Sequence, residues 1–252
     1  MKKTVSLVMA MMAAFLLCGA EKLDLTKVEH GILCLTFDDR NFEGWQKALP
    51  LFAKYHAHAS FFVTGNIDRE TAKIMKKLQA AGHTVGLHTK NHCDPVAGLK
   101  KYPSLEVYFA KEIAPQLKQC EKQGVKVCTL AYPENRHTPE SDALLGKTFE
   151  RFRAGTKDKP NDAGIPVPEI PQLAVIGGRG LGSYYKTDPS VVEKSIRDAA
   201  EKNLFIAYYS HNIQTKKANA ISITFELLER MLKTAEECGM KVVGFEELPR
   251  TE

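Results

Sequence analysis

Short apolar runs alternate with amphipathic stretches along nearly all of the 252 residues, and that rhythm limits the fold more than any other feature. Gly31–Phe37, Ala57–Val63, Thr84–Leu87, Val125–Ala131, Arg151–Ala154, Leu173–Ile176, Leu204–Tyr209 and Lys241–Phe245 read as strands. Between them, Trp45, Leu49 and Phe52 recur at helical spacing within Phe42–Tyr55, where Pro50 marks a kink. Ile74, Met75, Leu78 and Ala81 make a second helix face, closed by Gly82. Leu105–Cys120 reads as a helix that Pro115 should kink or break. Thr138-Pro139 pairs an N-cap with a first-turn proline, Asp188-Pro189 opens another helix, and Phe225 to Ala235 forms the last stripe, capped by Gly239. Gly155 to Pro171, rich in Pro, Gly and Asp, is the longest loop expected. Strands and helices in this alternation predict a parallel sheet with helices outside. About seven or eight units suggest a closed or partly closed barrel, with a doubly wound open sheet as the alternative. Either architecture gathers function at the C-terminal ends of the strands.

The first twenty residues stand apart. Lys2 and Lys3 precede a mostly apolar run from Val5 to Leu17, too short for a membrane span, and Cys18-Gly19-Ala20 offers small residues at a cleavage point. This predicts a signal peptide over 1–20, one domain over 21–252, and export to a periplasmic or extracellular space. A lipoprotein anchor at Cys18 is the rival reading, disfavoured by the bulk of Leu17. Without Lys2 and Lys3 the formal charge falls from +5 to +3, and no block of basic residues stands out, which argues against nucleic acid as a partner. The remaining cysteines, Cys34, Cys93, Cys120, Cys128 and Cys238, are odd in number and lack CxxC spacing, so a thiolate zinc knot is not expected. Cys120 and Cys128 flank a Gly-containing turn and either pair or stay as buried thiols.

The chemistry-bearing residues fall at predicted strand ends. Asp38 and Asp39 follow the first strand, His88 and His92 the third, "AYPEN" the next, and His211 the strand "LFIAYY". Residues four apart on a helical turn share a face, so His88 and His92 can converge on one metal ion. One carboxylate from another strand end would complete a three-ligand site with a place left for water. Of Asp38 and Asp39, one then binds metal and the other accepts a proton. His211 could donate a proton to a leaving group. The other histidines carry less: His56 and His58 suit a helix-to-strand turn, His83 suits a helix C-terminus as a cation, and His30 and His137 read as surface residues. Trp45 fits a core helix face. Tyr184 and Tyr185, beside the glycines of "GGRGLGSYY", line either a carbohydrate cleft or a solvent-facing loop, and the glycines do not follow a nucleotide-binding pattern.

With "TFDD", "HASFFVTG", "GHTVGLHTKNH", "AYPEN" and "FIAYYSH" in that order, the sequence resembles the polysaccharide deacetylase family, carbohydrate esterase family four with a nodulation-B-type domain, from about Gly31 to Leu248. The resemblance implies a distorted (β/α) barrel with a divalent metal, usually Zn2+. It implies Asp39, His88 and His92 as ligands, Asp38 as base, His211 as acid, and the backbone N–H of Glu134 as an oxyanion donor. The sequence departs from the family where Arg40 replaces a common Gly, and where Ala131, Glu134 and Asn135 replace the Arg, aromatic and Gly of the third motif. Arg153 could stand in for that arginine, pairing with Asp38 and keeping it ionised. The implied activity is an exported metal-dependent hydrolase that removes acetyl groups from a carbohydrate, N-acetyl first and O-acetyl second. A catalytically silent carbohydrate-binding relative and an amidohydrolase of small non-sugar amides are the other readings.

Overall fold

In a computed structural model, the described residues are 20–156, 164–215 and 220–250. The proposed signal peptide therefore lies almost wholly outside the described residues.

Seven parallel strands close into a barrel. β1 (Ile32–Asp39), β2 (Ser60–Val63), β3 (Thr84–Leu87), β4 (Thr129–Ala131), β5 (Arg151–Gly155), β7 (Val175–Gly180) and β8 (Leu204–Ser210) pair in that order, and β8 returns to β1. The two-residue β6 (Ile165–Pro166) lies antiparallel to the start of β8, and β9 (Lys241–Val242) pairs with the start of β1. These insertions splay the lower barrel: β7 meets β8 only through Arg179 and Gly180, opposite Tyr208 and Tyr209. This is the distorted (β/α) barrel that the sequence suggests, and the open-sheet alternative is excluded by the β1–β8 seam.

Period-two alternation sorts the side chains into two cores. Leu33, Leu35 and Phe37 of β1 join Phe61, Val63, Val85 and Leu87 on the outer face, against the helices. There α1 (Phe42–Lys54) presents Trp45, Ala48 and Phe52, and α2 (Arg69–Ala80) presents Ala72, Met75 and Leu78. Ile32 and Cys34 point inward, where Phe62, Ile176, Phe205, Val243 and Phe245 fill the lower barrel. Polar residues of the same strands occupy the upper barrel.

Several local expectations are settled or corrected. The last strand ends at Val242 rather than Phe245, because Val243 and Phe245 leave the sheet to plug the barrel floor, where Phe245 N–H bonds Ser60 Oγ. The strand expected at Leu173–Ile176 starts at Val175 and runs on to Gly180, so most of the glycine cluster is strand. A Cβ on Gly180 would meet the Tyr185 ring at about 2.5 Å, which explains a glycine there. Cys120 is a buried free thiol, so the Cys120–Cys128 pairing fails. His83 is buried beneath Phe52 and Phe61 rather than exposed as a cation; burial pushes its pKa down to about 4. Of the expected Gly155–Pro171 loop, 157–163 lie outside the described residues, and Val167–Gln172 is a 3₁₀ turn.

Candidate active site

The two adjacent acids owe their common purpose to a backbone twist. Asp38 continues the inward face of Ile32, Cys34 and Thr36, and it is buried. On an unbroken strand Asp39 would face outward. Its φ of +79° places it in the left-handed region, which turns its carboxylate back to the barrel mouth. Asp39 Oδ1 lies 3.9 Å from His88 Nε2 and 3.8 Å from His92 Nε2. The ligand atoms of these three residues lie within 4.8 Å of one another.

His88 is buried at the end of β3, and its Nδ1 donates to the Ala131 carbonyl at 2.8 Å. That bond fixes the tautomer and leaves the Nε2 lone pair facing Asp39. Burial holds the His88 pKa below its usual value, with Arg153 acting in the same direction and Asp38 opposing it. Two imidazole nitrogens and one carboxylate oxygen form the donor set of a three-ligand site for a divalent cation with room for further ligands. The residues therefore fit the cation that the family resemblance implies.

Asp38 is the other half of the site. Burial would raise its pKa, but the Arg153 guanidinium, with His88 and His211, outweighs that and holds the carboxyl below the usual range. Arg153 is itself buried, donates to Asp38 Oδ2 and Asn135 Oδ1, and lies over the Tyr209 ring at 4.7 Å. Asp38 Oδ1 is buried and accepts no hydrogen bond among the described residues, which leaves an unpaired acceptor on a residue that lines the cleft.

His211 follows β8 directly. Its Nδ1 donates to the Ile221 carbonyl at 3.1 Å, and its Nε2 lies 3.9 Å from Asp39 Oδ2. Trp45 Nε1 donates to the His211 carbonyl at 2.8 Å, so the core tryptophan also fixes this histidine's backbone. Glu134 is exposed on the cleft wall with φ +52°, and Asn135 follows at +57°. Arg40 is not in the cluster: its guanidinium donates to the Thr64 and Asn66 carbonyls and to Thr71 Oγ, tying the end of β1 to the β2–α2 loop.

The cluster lies in an open cleft of about 1020 Å³. Tyr132, Tyr184, Tyr185 and Tyr209 line it, with Arg136, Arg179 and Lys186. Sequence reasoning missed Asn135 and Tyr209. Asn135 Nδ2 donates to Tyr209 Oη at 2.9 Å, and Tyr209 Oη donates to Tyr185 Oη at 3.1 Å, so a hydrogen-bonded chain runs from Asp38 through Arg153 to the cleft wall. The signal for Tyr209 was there: it shares the inward face with Phe205 and Ala207. His137 is also more than a surface residue, since its Nδ1 bonds Asp142 and its ring stacks on Tyr132.

The barrel thus brings an acid pair from one strand end beside a histidine pair from another, the donor set of a candidate cation site at the mouth of a cleft. Residues 26–147 match the family model for polysaccharide deacetylase. The chain is 38% identical over 69 residues to a chitin deacetylase of Arthroderma benhamiae, covering 26% of this chain and 18% of that protein. It is 26% identical over 111 residues to the peptidoglycan-N-acetylmuramic acid deacetylase PdaA of Bacillus subtilis, covering 42% and 38%. The chain thus spans well under half the length of these curated relatives. Among solved structures, the chitin deacetylase of Colletotrichum lindemuthianum superposes with a TM-score of 0.59 at 16% identity, covering 88% of this chain and 89% of that one, a likeness of fold.

Proposed function

We propose that this protein is an exported, cation-dependent hydrolase that removes acetyl groups from a carbohydrate, with N-acetylated glycans the first substrate class and O-acetylated ones the second. The observation that carries the reading is the convergence of Asp38, Asp39, His88, His92 and His211 from three strand ends on one cleft. The family match and the names of the relatives support the substrate class, and a cleft of about 1020 Å³ lined by tyrosines is consistent with it. Export rests on Lys2 and Lys3 ahead of the apolar run to Leu17.

Asp39, His88 and His92 would hold the cation, Zn2+ first. Bound there, it would act as a Lewis acid toward the acyl carbonyl. Asp38, held ionised by Arg153, takes a proton from the attacking water. The backbone N–H of Glu134 is assigned to the developing oxyanion. The C–N bond, or the C–O bond of an ester, breaks as His211 Nε2 gives its proton to the departing atom. Acetate and a free amine or hydroxyl result. His211 Nδ1 keeps its bond to Ile221 throughout, which fixes the ring.

The test is acetate release from a panel of acetylated oligosaccharides and small acetamides, before and after chelation. Release from glycans that stops on chelation and returns with Zn2+ is expected. Full activity in demonstrably cation-free protein overturns the cation's role. Turnover of acetamides without glycans overturns the carbohydrate class.

A further inference from the structure

The loop that carries both histidine ligands is held in an unfavourable shape. Thr89 and His92 have φ of +60° and +51°, in the left-handed region, and Thr89 is β-branched, which makes it a marked outlier. Such a loop persists only where its surroundings fix it.

One fully buried carboxylate does much of that. Glu112 Oε2 accepts the Asn91 backbone N–H at 2.9 Å, and Oε1 accepts Asn91 Nδ2 at 3.1 Å. The Glu112 backbone carbonyl accepts Lys90 N–H at 2.9 Å. Tyr102 Oη donates to Oε1 at 2.6 Å, and Lys101 Nζ lies 3.9 Å away. Two successive amides between His88 and His92 therefore end on one residue. Tyr108 Oη supports the far side of the loop by donating to the Cys93 carbonyl at 2.8 Å.

Glu112 sits in a π turn, Phe109–Ile113, between the short helix Leu105–Tyr108 and the helix Ala114–Gln123. Pro115 has no N–H for the Lys111 carbonyl and crowds it, so the regular ladder cannot continue there. The wider turn resets which positions face the barrel.

We infer that Glu112 is a positioning residue for the cation site: it fixes the Thr89–His92 loop so that His92 Nε2 stays beside Asp39 and His88. This rests on the cation-dependent reading above. It assigns no contact between Glu112 and substrate or cation.

The test titrates purified, cation-free protein with Co2+, followed by visible absorption, and records the thermal midpoint of the cation-free form. Glu112→Gln keeps the side chain's shape but replaces one acceptor with a donor facing other donors. It is expected to weaken Co2+ binding roughly 10–100-fold, the usual effect of removing a supporting partner of a ligand. Asn91→Ala removes a single side-chain bond at an exposed residue, so it folds, and its affinity should fall between the other two. Wild-type affinity in both variants overturns the inference alone. If Glu112→Gln does not fold, Asn91→Ala decides: unchanged affinity there overturns the inference as well. A wild type that binds no divalent cation overturns the proposed function and the inference together. A lowered thermal midpoint with unchanged affinity identifies Glu112 as a purely structural residue and also overturns it.

Discussion

Arg151 and Arg153 lie two residues apart on one strand, point into the same barrel and are equally buried, yet they serve opposite ends of it. Arg151 turns to the floor, where it donates to the Ile170, Leu173 and Pro249 carbonyls at 3.1, 2.7 and 2.6 Å. Burial lowers its pKa to about 10, still well above neutrality. Arg153 turns to the mouth and meets a carboxylate, an amide oxygen and an aromatic face. The first arginine satisfies backbone acceptors that the 3₁₀ turn and the C-terminal tail leave over. The second sets the charge state and direction of another side chain. Burial alone does not separate a structural arginine from a functional one; the partners do.

The largest expected effect concerns the mouth. Asp38→Asn should lower kcat roughly 10²–10⁴-fold, the range for a lost general base, with cation content unchanged. Asp39→Asn should lower cation content, measured by metal analysis of purified protein. Equal cation loss in both would remove the division of labour between the neighbours.

The arginines come next. Arg151→Leu strands three carbonyls at about 1–3 kcal/mol each at most, so a loss on the order of 3 kcal/mol in denaturant unfolding is expected, with kcat per folded molecule unchanged. Arg153→Leu should cost rate out of proportion to stability, because Asp38 can relieve its burial by taking a proton. Matching ratios of rate loss to stability loss in the two variants would erase the contrast.

The smallest effect lies at the floor and depends on pH. Burial, with Glu150 and Glu247 nearby, raises Glu246 to about 7, against Lys22. Between about 4.5 and 7 the folded protein keeps a proton that the unfolded chain has lost, so this group lowers stability as pH rises through that window. His83, lowered to about 4, does the reverse: its contribution is complete above about 6.5 and is lost as pH falls towards 4. The two slopes largely cancel. Glu246→Gln should leave stability unchanged near pH 4 and raise it by on the order of 2 kcal/mol at pH 8, uncovering the His83 slope. Parallel stability–pH curves for wild type and variant would show that Glu246 is not protonated in the fold.

Much of this contrast could be read in the sequence. Alternation in "RFRAG" puts both arginines on one face, and the strand-end acids and histidines stood out by position. Four things could not be read. The left-handed turn at Asp39 has no sequence mark, since Asp is common in turns of every kind. The β7 glycines looked like loop because glycine is depleted in strands, whereas here they make room for Tyr185 and Tyr209. The role of Glu112 was hidden because a helical pattern read at 3.6 residues per turn cannot register a π turn. The tail beyond Val242 read as strand because Val243 and Phe245 alternate correctly, although they pack inside the barrel.

The β1–β8 seam also orders events in time. Ile32 pairs with Phe205 and Phe37 with Ser210, so the strand carrying Asp38 and Asp39 finds one edge partner only after most of the chain has been made. Such distant pairing raises the contact order and makes for slow assembly. A nascent chain that ends before β5 already contains Asp38, Asp39, His88 and His92, but it has neither the guanidinium that orients Asp38 nor the seam that aligns β1. Asp38 therefore gains its orienting partner, and β1 its second edge, only in the finished barrel and not in the growing polypeptide.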